Sequence, residues 1–226
     1  IEKIFKIFLK TKNPKTKPIF VNNYKWLGKL NYIKFLREIG KHFTINKMLS
    51  FDSVKLRLER EQSLSYMEFN YMILQAYDFL ELNKTKNCLI QIGGSDQWGN
   101  IVNGVELIKR HSNQQVFGLT TPLITLASGS KMGKTEKGAV WLDKKMLSPY
   151  DYWQFWRNTD DRDVIKFIQM FTDLKIDKIE KIKDQNINQL KILLASEATA
   201  MLHGKTAAQR AEQTAKNTFE KKSIGE

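Results

Sequence analysis

Tyr71, Gln75 and Asp78 are spaced i, i+4, i+7 in the segment YMILQAYDFLEL. At ~100° per residue, a helix brings the three within about 60° of one another on one face. A phenol, a primary amide and a carboxylate grouped in this way can bind a small polar molecule. Met72, Ile73, Leu74, Phe79 and Leu80 beside them are apolar enough to be buried. Solvated surface residues can share this spacing. However, Asp78 stands near the expected C-terminus of the helix, where a carboxylate opposes the macrodipole, and that favours a use for its charge.

Two further groups carry chemistry. Cys88–Ile92 (CLIQI) reads as a short buried strand of a parallel sheet. It leads into the loop Gly93-Gly94-Ser95-Asp96-Gln97-Trp98-Gly99-Asn100. Glycines directly after a strand let the backbone approach a ligand closely. The helix expected over 98–110 offers free N–H groups and a positive dipole end to an anion, with Ile101, Val105 and Ile108 on its inner face. Open α/β sheets bind ligands at this carboxyl edge. The other group is Ser128–Thr135 (SGSKMGKT), in which Lys131 and Lys134 flank Met132 and Gly133. Two ammonium groups on a glycine-containing loop can close over a triphosphate and offset charge on departing pyrophosphate. The spacing is not that of a P-loop, and a plain surface turn can have the same composition.

The elements that must position these groups are also legible. Ser65 with Glu68 reads as a capping box that starts the Tyr71 helix. Upstream, Ile1–Lys17 reads as a basic helical tail, Ile19–Val21 as a short strand and Gly40 as a helix C-cap. Asn22–Phe43 is dense in large apolar residues, which call for either a core or a partner surface. Thr44–Gln62 ends in a charged helix with Lys55, Arg57 and Arg60. Val116–Leu119 is a further strand. From Ser148 the chain changes to helices with Tyr152, Phe155, Trp156, Phe167, Ile168 and Phe171 as core faces, Asp160 as a cap and Ala195–Lys216 as a strong helix former. The expected class is α/β over residues 1–147, followed by an all-α domain over 148–226.

Composition narrows the function classes. The 226 residues are 42% hydrophobic and 27% charged, as in a soluble globular protein of one or two domains. No apolar run approaches the ~18 residues of a membrane span. The single cysteine, Cys88, excludes an internal disulfide, and three dispersed histidines give no metal motif. A net charge of +13 favours a polyanionic partner such as RNA, although lysine is abundant along the whole chain.

YMILQAYDF followed by QIGGSDQWGNI closely resembles the bacterial type of tyrosyl-tRNA synthetase, a family of class I aminoacyl-tRNA synthetases. GLTTPLIT, GSKMGKTEKGAVWLD and SPYDYWQFWRNTDDRDV resemble successive segments of that family, as does NNYKWLGKLNYIKFLREIGKHF upstream. The resemblance runs from about Asn22 to about Phe219. Within it, GSKMGKT is similar to the Lys-Met-Ser-Lys-Ser signature in its Gly-Lys-Thr form.

The resemblance implies a partial Rossmann-like parallel-sheet catalytic domain over 1–147 and an anticodon-side helical domain over 148–226. Lys166, Lys175, Lys178 and Lys181 of the helical domain are candidate RNA contacts. It also implies a homodimer formed through residues 22–60. The implied reaction is ATP-dependent activation of L-tyrosine to tyrosyl-adenylate and its transfer to tRNA(Tyr). On that reading Asp78 accepts a hydrogen bond from the substrate phenol, and Tyr71, Gln75 and Gln97 hold its amino-acid end. Gly94 and Asp96 meet the adenylate ribose. Lys131, Lys134 and Thr135 bind phosphates, with Met132 and Gly133 on the ATP side. ATP is a substrate, Mg²⁺ accompanies it without a protein metal site, and the compartment is the cytoplasm, with an organelle left open. The family's His-x-Gly-His-type signature has no counterpart in these residues, so the chain is expected to be a truncated synthetase. The rival readings are a tryptophanyl enzyme and a non-catalytic RNA-binding relative.

Overall fold

Helices account for most of the chain in the computed structural model, which describes residues 2–135 and 138–223. In chain order the elements are α1 (Glu2–Phe8), α2 (Tyr24–Leu27), α3 (Tyr32–Glu38), α4 (Ile45–Leu49), α5 (Asp52–Glu59), α6 (Tyr66–Lys86), β1 (Ile90–Gly94), α7 (Trp98–Ser112) and β2 (Phe117–Thr121). These are followed by β3 (Lys134–Thr135), β4 (Gly138–Ala139), α8 (Pro149–Arg157), α9 (Asp161–Phe171), α10 (Ile176–Ile182), α11 (Ile187–His203) and α12 (Lys205–Ser223). Residues 21–123 form one compact unit, and residues 1–20 with 124–226 form another. The packing boundary therefore falls at Leu123, before the change of sequence character at Ser148.

In the first unit, local chemistry fixes the ends of the long helix. The Ser65 hydroxyl accepts from the Glu68 N–H, and the Glu68 carboxylate accepts from the Ser65 N–H, which is the expected capping box. Asn87, in the left-handed region at φ 53°, ends α6. Its buried face carries Met72, Ile73, Ala76, Phe79 and Leu80, while Leu74 is half-buried. These pack with Leu107 and Ile108 of α7 and with Ile39, Met48, Val54 and Val116 to make the core. α7 can approach α6 closely because Gly104 leaves room for Phe79: a Cβ at 104 would lie 2.9 Å from Phe79 Cδ1.

β1 and β2 pair in parallel, from Ile90 opposite Phe117 to Gly94 opposite Thr121, with α7 as the crossover between them. α7 covers one face. The other face carries Ile90, Ile92, Phe117 and Leu119, which are 53, 66, 52 and 53% exposed.

Four expectations need correction here. β1 starts at Ile90 rather than Cys88, because the Cys88 N–H donates to Leu82 O and its carbonyl accepts from Asn83 Nδ2, which holds it in the turn after α6. The strand then runs through Gly93 and Gly94, since β2 pairs with both. Gly40 is not a left-handed C-cap: α3 ends at Ile39 in the right-handed region, and Gly40 opens a 3-10 turn. Ile19–Val21 adopts no regular structure.

In the second unit, Ser148 caps α8 with Pro149 in its first turn, and Asp160 caps α9 through the Arg162 N–H. Tyr152, Trp156, Phe167 and Ile168 are buried with Leu190, Leu194, Ala198, Leu202, Ala211 and Ala215, so α8, α9, α11 and α12 share one core. Phe155 and Phe171 pack against it half-buried.

Candidate active site

α6 presents Tyr71, Gln75 and Asp78 along one face. Tyr71 is 59% exposed, and Gln75 and Asp78 are half-buried. Asp78 is not loose in solvent. Its Oδ1 accepts from Trp26 Nε1 at 2.6 Å, and its Oδ2 accepts from Asn23 Nδ2 at 3.0 Å. A carboxylate offers about four acceptor positions. Two neutral donors therefore orient this one and leave each oxygen able to accept another hydrogen, such as that of a hydroxyl.

Trp26 and Asn23 were not identified as site residues from the sequence. They stand more than fifty positions from Asp78, in the segment read for its apolar content. The only signal was a tryptophan among polar neighbours in NNYKW, and an indole N–H needs an acceptor when it is drawn from water.

The carboxyl ends of β1 and β2 lead into the glycine loop. A Cβ at Gly94 would lie 2.7 Å from Asp96 Oδ1 and 2.9 Å from Leu123 Cδ2, so a side chain there would displace the ends of both from their present places. Gln97 precedes α7, and its Oε1 accepts from Asn100 Nδ2 at 3.1 Å. The fixed amide at the head of α7 borders the same strand ends.

The lysine segment in the second unit is an ordered hairpin rather than an open loop. Thr125 bridges Lys131 in antiparallel fashion, with Leu126 N–H donating to Ser130 O at 2.8 Å and Met132 N–H to Ile124 O at 2.9 Å. Gly129 and Gly133, at φ 82° and 92°, make the turns that a side chain would strain. Lys131 is exposed, and Met132 packs half-buried against the helical core. Lys134 and Thr135 form β3, which pairs with β4; their side chains lie outside what is described.

Asp163 and Lys166 of α9 meet this hairpin and were not read from the sequence as part of it. Asp163 is 3% exposed. Burial pushes its carboxyl up, but hydrogen bonds from the Lys166 ammonium and the Ala127 N–H pull it below the ordinary aspartate value. Lys166, a candidate RNA contact by sequence, is therefore engaged in an ion pair, while Lys175, Lys178 and Lys181 are exposed. His203, one of the three dispersed histidines, packs edge-on against the Tyr152 ring with centroids 5.4 Å apart. Among the described residues, no group of three or more His, Cys, Asp or Glu side chains is placed to hold a metal ion, and no helix is long and apolar enough to cross a membrane.

Residues 1–220 match the model of the tRNA synthetases class I (W and Y). The chain belongs to that family. Among class I relatives, it is 75% identical over its whole length to the tyrosine–tRNA ligase of Pelagibacter ubique and 56% identical to that of Zymomonas mobilis. It covers 55% and 56% of those two proteins, so it spans about half the length of the curated relatives it matches. A C-terminally truncated mitochondrial tyrosyl-tRNA synthetase of Aspergillus nidulans has the same fold over 87% of this chain and 57% of its own, with a TM-score of 0.75 at 34% identity. The two-stranded parallel sheet with its crossover helix is thus a portion of the Rossmann-like domain of class I synthetases, joined in sequence to a helical region.

Proposed function

We propose that these residues are part of a tyrosine–tRNA ligase, and that residues 1–147 belong to its catalytic domain and 148–226 to a helical domain on the anticodon side of the tRNA. The observation that carries the tyrosine reading is the Asp78 carboxylate, aimed by Trp26 and Asn23 on the face shared with Tyr71 and Gln75. A substrate phenol donates to Asp78. Tyr71, Gln75 and Gln97 orient the ammonium and carboxylate ends. An indole offers a different donor at a different distance, so tryptophan fits this face less well.

The chemistry needs no protein nucleophile or general base. The tyrosine carboxylate attacks the α-phosphorus of ATP, the bond to the bridging oxygen breaks, and pyrophosphate leaves. A hydroxyl of the terminal tRNA ribose then attacks the tyrosyl carbonyl, and AMP leaves. Positioning and electrostatic stabilisation supply the acceleration. Gly94 and Asp96 meet the ribose. Lys131, Lys134 and Thr135 take the phosphates, with Met132 and Gly133 bordering them. ATP enters as its magnesium complex, and Mg²⁺, held by phosphate oxygens and water, calls for no protein cage. We assign the reaction to the cytoplasm.

Homodimer formation through residues 22–60 is part of the same reading. Its support is an apolar groove of about 440 Å³ lined by Leu27, Leu30, Tyr32, Phe35, Leu36 and Met67 among others, with Tyr32, Leu36 and Met67 exposed beside it. Leu36→Asp in the complete ligase should halve its mass by light scattering. An unchanged mass would remove this interface.

The activity test is amino-acid-dependent ATP–pyrophosphate exchange by the complete ligase. Tyrosine must support exchange, and tryptophan must not. Asp78→Ala should abolish the preference for tyrosine over phenylalanine; an Asp78→Ala enzyme that still rejected phenylalanine would remove the selectivity mechanism.

A further inference from the structure

The hairpin that carries Lys131 has an outer edge that its own partner strand cannot satisfy. Thr125 and Lys131 form the kind of antiparallel pair in which the backbone bonds run from the flanking residues, Leu126 to Ser130 and Met132 to Ile124. The N–H and C=O of Thr125 therefore point away from Lys131. Two residues on, the 126–129 turn closes with the Gly129 N–H donating to Leu126 O, which leaves the Ala127 N–H outside it. This edge meets α9. Lys166 Nζ donates to Thr125 O at 2.7 Å, and the Ala127 N–H donates to Asp163 Oδ2 at 2.6 Å. Lys166 Nζ also donates to Asp163 Oδ1 at 2.7 Å, which closes the circuit.

One carboxylate and one ammonium thus fasten an acceptor and a donor on the same strand edge. The carboxylate is buried, with its side chain 4% exposed, whereas the Lys166 side chain is 42% exposed. A buried acceptor with both oxygens occupied holds its partners in one geometry, because a displaced donor would leave a charge unpaired in a low-dielectric setting. The residue directly across the fastened strand is Lys131.

We propose that Asp163 and Lys166 are positioning residues for ATP activation, setting the place of the Lys131 hairpin. Neither touches substrate; both act through Thr125 and Ala127. This inference rests on the reading that Lys131 meets the phosphates. Asp163→Asn cannot preserve the arrangement. One of its two oxygens becomes an amide NH₂, which then faces either the Ala127 N–H or the Lys166 ammonium.

The experiment uses the complete ligase carrying Asp163→Asn, Lys166→Met, Lys166→Arg or Lys131→Ala. Amide hydrogen exchange over residues 124–132 is measured without substrates, alongside tyrosine-dependent ATP–pyrophosphate exchange resolved into kcat and the KM for each substrate. Asp163→Asn and Lys166→Met should speed exchange in that segment about tenfold or more and lower kcat/KM for ATP about tenfold, with the KM for tyrosine within about twofold. Lys166→Arg should restore both. If Asp163→Asn fails to fold, Lys166→Met, which alters the half-exposed member of the pair, gives the answer. Unchanged exchange in the hairpin overturns the proposal. So does faster exchange with normal ATP kinetics, where Lys131→Ala is crippled, since the pair is then merely structural. If Lys131→Ala is also normal, the phosphate reading fails, and the accelerated exchange still supports the fastening of the hairpin.

Discussion

Trp26 Nε1 donates to Asp78 Oδ1 at 2.6 Å, joining the short helix α2 to the C-terminal half of α6 across 52 positions of sequence. Asp78 was expected near the C-terminus of its helix, but α6 continues to Lys86, eight residues on, so the carboxylate lies outside the last turn where the dipole acts, and it is the donors from another element that hold its charge. The bond also implies that α2 sets the orientation of the carboxylate.

Trp26→Phe keeps most of the ring and deletes the donor. A hydrogen bond to a charged group contributes about 1.5–3 kcal/mol, and partial exposure places this one toward the low end. In the complete ligase, the KM for tyrosine should rise roughly tenfold, with a smaller change in the KM for ATP. Exchange kinetics at varied tyrosine check this. A KM for tyrosine that does not move would mean that Asp78 is oriented without α2.

The face of α6 could be read in advance because a helix repeats regularly, so three residues within eight positions predict their own geometry. Capping gave the starts of α6 and α9 for the same reason: Ser65 and Asp160 act on backbone groups three and two residues away. The partners of Asp78 could not be read, since nothing local links Asn23 or Trp26 to it. Asp163 was hidden in a different way. Among TDDRD, only burial distinguishes the carboxylate that reaches Ala127 from its neighbours, and burial is a product of tertiary packing. The misplaced start of β1 has a similar origin. Cys88 is apolar enough for a strand, but Asn83 captures its carbonyl.

Acid should loosen the helical core through His203. Burial, and secondarily the charge of Lys144, depress its pKa from the ordinary histidine value of 6.5. The folded state therefore binds fewer protons than the unfolded state, so the contribution is present above the unfolded pKa near 6.5 and is lost as pH falls through the folded value. His42 and His111 are shifted in the same direction, each chiefly by burial. The melting temperature should fall between pH 7 and pH 5, and His203→Gln should flatten part of that decline. A decline of equal steepness in His203→Gln would assign the effect to the other two.

Gly118 and Gly133 should fail for different reasons when changed to alanine. A Cβ at 118 would lie 2.5 Å from Ile101 Cγ2, a fully buried atom group between α7 and the sheet. Overpacking of this kind costs about 1–3 kcal/mol. A Cβ at 133 meets nothing within 4 Å among the described residues, but φ is 92°. The cost there is backbone strain of about 1–3 kcal/mol, confined to the hairpin. Urea denaturation should register Gly118→Ala as loss of global stability. Gly133→Ala should instead appear as faster hydrogen exchange around residues 131–140. If Gly118→Ala matched the parent in denaturant, the close contact between Ile101 and the sheet would be wrong.

The bare face of the sheet gives the last prediction. Parallel sheets are covered on both faces, because their crossover helices and neighbouring layers bury them. Here α7 buries the side carrying Gly93 and Gly118, while Ile90, Ile92, Phe117 and Leu119 stand together on the other side, each more than half exposed. Contiguous apolar surface of this kind marks an interaction face. The chain covers 55% of its Pelagibacter relative, and under the proposed function it is the rest of the complete ligase that would cover this face. Ile92→Lys should therefore have opposite consequences in two settings. Residues 1–226 prepared alone should bind an apolar dye such as anilinonaphthalene sulfonate and self-associate with rising concentration, and Ile92→Lys should reduce both. In the complete ligase, the same change should bury an unpaired ammonium and lower stability by about 2 kcal/mol or more. A complete ligase indifferent to Ile92→Lys would mean that nothing packs on this face.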